Sequence, residues 1–127
     1  MLDTSPLTAV VERFAERLRA APQSRLQRGA AAEALELARE LSVRAQRLED
    51  PQGAAEPRLM PEAGIFVVGD QLAVAGQDLA EALRDASRRP AGAAGAADAA
   101  GDSAKAPSEM LDEAVRLVEQ AEVRAMR

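Results

Sequence analysis

Leu7, Val10, Val11, Phe14 and Leu18 fall at i, i+3, i+4, i+7 and i+11, a spacing that places every one of them on a single stripe of an α-helix. Ser5 followed by Pro6 reads as an N-cap and first helical residue, and Pro22 ends the run, which predicts a helix over about 6–20. The same periodicity returns three more times. Ser24 with Gln27 has the form of a capping box, and Leu26, Ala30, Ala34, Leu37, Leu41, Ala45 and Leu48 continue on one face until Pro51 and Gly53. A short turn between these two helices predicts an antiparallel hairpin over 6–49. Glu40 and Arg44 form an i, i+4 ion pair in the favoured order on its flank.

Residues 50–69 carry Pro51, Gly53, Pro57, Pro61 and Gly64 and are read as a loop. Within it the β-prone run Ile65-Phe66-Val67-Val68 has no partner strand, so it is expected to lie on the helices as an apolar plug anchored by Phe66. Asp70 then caps a third helix over 70–87, striped by Leu72, Ala75, Leu79, Ala82 and Leu83. Gly69, Ala73, Gly76 and Ala80 make a second row of small residues, which would let another helix backbone approach closely. Residues 88–107 are nearly all alanine and glycine, with Gly92, Gly95 and Gly101 breaking each alanine run, the composition of a flexible linker. Ser108 opens a last helix within 108–127, its face formed by Leu111, Ala114, Val115, Val118, Ala121 and Ala125, which packs on the core or on a partner. The fold class that follows is all-α: a small four-helix bundle built on the N-terminal hairpin, with the core in 1–87 and a flexible Ala/Gly-rich linker before the last helix.

Composition narrows the chemistry more than the fold. The chain of 127 residues has no Cys, His, Trp, Tyr or Asn, and its only aromatic residues are Phe14 and Phe66. Thiolate nucleophiles, imidazole bases and Cys/His zinc sites are thereby excluded, and no catalytic motif is assembled from what remains, so the reading is a non-enzyme without cofactor or metal. Lacking cysteine, a basic leader or a long apolar run, the chain is read as cytoplasmic, and Lys105 as sole lysine among many arginines suggests a GC-rich bacterial gene. A net charge of −5 argues against nucleic acid and anionic membranes as partners. A DNA-binding helix-turn-helix is disfavoured by the length of the second helix and by its acidic middle at Glu33, Glu36 and Glu40.

Four features merit comparison with the structure. Arg17, Arg19, Arg25 and Arg28 cluster near the hairpin tip, a candidate patch for an anion or an acidic partner, against the plainer reading of a solvated surface. Glu33, Glu36 and Glu40 resemble one helix's share of a divalent-cation site, but Arg39 and Arg44 stand ready to neutralise them. Gly69-Asp70 precedes a helix without the glycine pattern of a phosphate loop, which leaves Asp70 as a cap. Finally, about half of the 47% hydrophobic residues are alanine, so the core is thin and association would add burial. The expected function is therefore a helical protein-protein interaction or self-association module, with Leu111, Val115, Val118, Gly76 and Ala80 as the interaction face. The alternative is a small regulatory or ligand-sensing bundle with an apolar pocket between helices, near Gly76 and Phe66.

Overall fold

The computed structural model describes residues 2–89 and 105–127, and among these residues there are four long helices: α1 Ser5–Ala20, α2 Ala31–Glu49, α3 Val68–Arg88 and α4 Pro107–Ala125. There is no strand among the described residues. The protein is an all-α four-helix bundle. Most of the expected 88–107 linker lies outside the described residues; of its ends, Arg88 closes α3 and Pro107 opens α4.

The helix starts differ in detail from the sequence expectation, because main-chain geometry and neighbouring carboxylates replace the predicted side-chain caps. Thr4 rather than Ser5 occupies the cap of α1, and the Ser5 amide donates to Asp3 Oδ1 at 3.0 Å. No Ser24 capping box forms; Pro22 holds that position, and a turn at Gln23–Arg25 leads into a π-helical turn at Leu26–Ala30. There Gly29 adopts φ 149°, a conformation costly for any residue with a Cβ, and kinks the chain before α2. Ala106, not Ser108, caps α4, and its amide donates to the Glu109 carboxylate at 3.2 Å.

The expected plug over Ile65–Val68 is corrected. Residues 64–67 form a turn, with the Val67 amide donating to the Gly64 carbonyl at 3.1 Å, and helix α3 begins two residues early at Val68. Helical rather than extended geometry sends Val68 into the core and throws Phe66 outward, where it is 70% exposed. Asp70 consequently sits in the first turn of α3, free to pair with Arg19 instead of capping.

The first two helices are not side by side either. Arg84 reaches Thr4 Oγ1 at 2.6 Å and Arg19 reaches Asp70 at 2.7 Å, so α1 runs antiparallel to α3. At one end Arg89 donates to the Leu48 carbonyl, and at the other Leu26, Ala31 and Leu35 share a cleft with Ile65, Val68 and Gln71, so α2 and α3 run parallel. Arg44–Glu113 and Arg124–Glu33 pairs at 2.6 and 3.0 Å make α4 antiparallel to α2. Each of α1 and α2 packs on both α3 and α4, and the expected hairpin partners face each other, antiparallel, across the diagonal of the bundle. The physical reason is the width of α3's buried arc, from Val68, Leu72, Ala75 and Leu79 to Gly76 and Ala80, which accepts α2 on one side and α1 on the other.

A parallel pair needs a connection that travels back along a helix. The 19 residues of α2 rise roughly 28 Å, which an extended chain covers in about nine residues. The proline-rich residues 50–67 make that return, held by reciprocal bonds between Gln46 and Arg58 at 2.8 Å, by Arg39 Nε on the Met60 carbonyl at 2.7 Å and by Gln71 on the Pro61 carbonyl at 2.8 Å. Prolines suit such a return because they favour extended backbone and withhold amides that this loop has no ladder to satisfy.

One continuous core fills the bundle, with Leu7, Val11, Phe14, Leu41, Leu72, Leu79, Leu83 and Val118 as its largest fully buried side chains. The small row on α3 does allow a close approach. A Cβ built on Gly76 would lie 2.7 and 2.9 Å from the two γ-carbons of Val11, and one on Gly69 would lie 3.2 Å from the Ala15 carbonyl oxygen.

Candidate functional site

The interaction face expected from the sequence is largely internal. Leu111 and Val118 on α4, and Gly76 and Ala80 on α3, are buried against the chain's own helices, while Val115 is half-buried at their edge. The reason is that α4 seats on the diagonal groove of the same bundle, so its apolar stripe is satisfied within the chain. A groove does run past Gly76, but Thr8, Glu12, Glu16, Arg19 and Gln77 give it an open polar rim, and Phe66 does not line it.

The apolar surplus lies elsewhere. Five large hydrophobic residues are exposed among those described: Leu59, Phe66, Val67, Val74 and Val123. Val67 and Val74 are seven residues apart, two helical turns, so they share the face of α3 that points away from Leu72, Ala75 and Leu79. Phe66 stands beside Val67 at the helix entrance, and Val74 is 56% exposed. Leu59 is not part of this face: it lies in the loop between Arg58 and Met60, whose main chain is tied to Gln46 and Arg39 of α2. Asp70, held by Arg19, and Gln77 border the patch with polar groups. The result is an aromatic ring and a valine at the entrance of a helix, with a second valine two turns along it and polar side chains at the border, which is the anatomy of a protein-docking surface.

The charged candidates separate. Arg17 joins Arg13 on the Glu122 carboxylate, at 3.0 and 2.7 Å. Arg19 bridges Glu16 and Asp70. Arg25 and Arg28 lie around the Gly29 kink, where they meet Arg124 and Arg127 of α4 and its end. The three glutamates of α2 also take separate partners: Glu33 binds Arg124, Glu40 binds Arg44 at 2.7 Å, and Glu36 faces solvent. Among the described residues no group of three acidic side chains is close enough to hold a metal ion.

Glu122 escapes a reading by sequence pattern. It sits on the α4 stripe between Val118 and Ala125 and is 4% exposed, a carboxylate in an apolar position. Burial acts to raise its pKa, but the hydrogen bonds and charges of Arg13 and Arg17 outweigh burial and hold it below the usual carboxylate value. The signal available in the sequence was a lone glutamate inside an apolar stripe, matched by two arginines four apart on α1. Thr4, the other buried polar residue, is satisfied by Arg84, and no buried side-chain polar atom among the described residues lacks a partner.

No family model, curated protein or solved structure matches this chain. Its function has to be argued from its own surfaces. None of the described helices is long and apolar enough to cross a membrane.

Another cross-link of α4 is Glu113, which accepts from Lys105 and from Arg44 at 2.6 Å. Lys105 first and Arg44 second bring its pKa down from the ordinary 4.5 to about 2. A carboxylate depressed in the folded state contributes stability that is complete above its unfolded pKa and disappears as pH falls through the folded one. Urea titrations between about pH 5 and pH 2 should accordingly show a shallower acid loss in Glu113→Gln than in the wild type; parallel curves would mean that the pair does not persist in solution.

Proposed function

We propose that this chain is a non-enzymatic helical interaction module, and that it docks onto a protein partner or a second copy of itself through the outer face of α3. The observation that carries this reading is Phe66, one of only two aromatic residues in the chain, presented to solvent at the entrance of α3 beside Val67, with exposed Val74 two turns further along the same side. A folding chain with a thin, alanine-rich core gains from burying an aromatic ring, so leaving it outside has a cost. Covering that ring on association would recover about 1.5–3 kcal/mol, the scale of an interface anchor. The absence of His, Cys and Tyr leaves few groups for acid-base or nucleophilic work, which supports binding over catalysis.

The test is site-specific photo-crosslinking in the native host with the reactive group at position 66, alongside a control at exposed Ala32 on α2. Adducts at 66 and not at 32, reduced at least about tenfold when Val74→Asp is added, are the expected result. Light scattering on the purified protein then tells a second copy from another protein. Equal adduct yields at the two positions would overturn the reading.

A further inference from the structure

We infer that the cleft at the Gly29 kink is a binding site for a small phosphoryl anion, such as inorganic phosphate, pyrophosphate or a phosphomonoester. Arg25, Arg28, Arg124 and Arg127 line it together with Gly29, Ala30, Ala125 and a single side-chain carboxylate, Glu33. Four guanidinium groups thus share one side-chain carboxylate in a chain whose net charge is −5. Glu33 is already engaged by Arg124 at 3.0 Å, and Arg25 gives one N–H to the main-chain oxygen of Arg127 at 3.0 Å. Arg28 and Arg127 make no side-chain hydrogen bond or ion pair among the described residues. Each guanidinium has five donors in a planar fork, so the residues lining the cleft carry many more N–H groups than the protein bonds they make, and that fork matches phosphoryl oxygens two at a time.

Convergence of like charges from segments about a hundred residues apart is destabilising unless something neutralises it. The backbone is also specialised here. The π-helical turn and the positive φ of Gly29 form the one helix break in the run Gln23–Glu49, and this break sits in the wall of the cleft. A Cβ on Gly29 would meet nothing within 4 Å, so the glycine answers to conformation and not to packing. Departures of this kind concentrate at binding sites. The choice of ligand follows from the lining: apart from the main chain and two alanines it is all charge, which offers no wall for the side chains of an acidic peptide.

The experiment is calorimetric titration of the full chain with inorganic phosphate, pyrophosphate and phosphoserine, at constant ionic strength set by chloride. Saturable binding is expected, with pyrophosphate tighter than phosphate if two phosphoryl groups fit and phosphoserine equal to phosphate if the cleft is open to an organic substituent. Arg28→Gln and Arg127→Gln should each weaken it about tenfold or more, as loss of a charge-assisted contact does. Glu33→Gln should tighten it severalfold by removing the competing carboxylate, a gain that a merely structural role for these residues does not produce. Arg88→Gln, at the far end of α3, should leave it unchanged. Arg28, Arg88 and Arg127 are exposed and Glu33 is half-buried, so these substitutions leave the core intact, and circular dichroism checks that each variant folds. No saturable binding of any of the three anions, an Arg28→Gln variant that binds as well as the wild type, or tighter binding of an oligoglutamate peptide than of pyrophosphate would each overturn the assignment.

Discussion

Gly76→Leu is expected to lower the stability of this protein by about 3 kcal/mol or more, although leucine is a better helix former than glycine by nearly 1 kcal/mol. Even a bare Cβ at this position would press on both γ-carbons of Val11, at 2.7 and 2.9 Å. Val11 cannot rotate away, because a β-branched side chain in a helix has one favoured χ1 rotamer, and it is itself buried. The larger side chain must therefore push α1 off α3, which opens the core around Leu7, Phe14 and Leu79. Chemical denaturation followed by circular dichroism measures the loss. Its origin can be isolated with a double-mutant cycle: Gly76→Ala combined with Val11→Ala should lose less than the two single variants summed, by about 1 kcal/mol or more. Simple additivity would show that the two helices are further apart than described.

The second large effect concerns Glu122. Replacing Arg13 and Arg17 together by alanine leaves its carboxylate buried without a counter-charge and should cost about 2–3 kcal/mol at neutral pH. That is below the 3–5 kcal/mol typical of a sealed ion pair, since the departing side chains are half exposed and open a path for water. The pH dependence should change sign. In the wild type the depressed pKa means that this carboxylate adds stability above about 4.5 and loses it as pH falls through the folded value. In the double variant only burial remains, the pKa lies above the usual value, and the folded state becomes less stable as pH rises from about 4.5. Adding Glu122→Leu to the double variant should restore most of the loss, because an apolar residue fits the stripe between Val118 and Ala125. A double variant that is as stable as the wild type at pH 7 would show that Glu122 reaches solvent without help.

What was legible in the sequence was local. The stripe through Leu7, Val10, Val11, Phe14 and Leu18 determines a helix and its buried side whatever it packs on, and the same holds for Leu72, Leu79 and Leu83. Of the small row Gly69, Ala73, Gly76 and Ala80, the two glycines do lie against α1, since the lack of a side chain has the same consequence in any fold. Pairing was not legible. A two-residue connection between helical stretches suggests neighbours, but the kink at Gly29 and the breadth of the α3 arc place α3 and α4 between α1 and α2, and neither is visible in a periodicity. Phe66 was misplaced for a related reason. The run Ile65 to Val68 is apolar throughout, so nothing in its pattern distinguishes an inward strand from a helical entrance with one residue facing out. The arginines divided likewise: Arg17 and Arg19 are neighbours of Arg25 and Arg28 in sequence, whereas the groups that complete the kink cleft, Arg124 and Arg127, come from the other end of the chain.

The seam between α1 and α3 has a corollary for how this sequence can diverge. Position 76 admits only glycine while position 11 stays β-branched, so a descendant that enlarges residue 76 must first shrink residue 11, and the reverse order passes through a strained intermediate. The outer face at 66, 67 and 74 carries no such restriction from within the chain. Drift in the two regions should therefore look opposite: paired and size-compensated at 11 and 76, but at 66, 67 and 74 constrained only by whatever the chain meets in the cell.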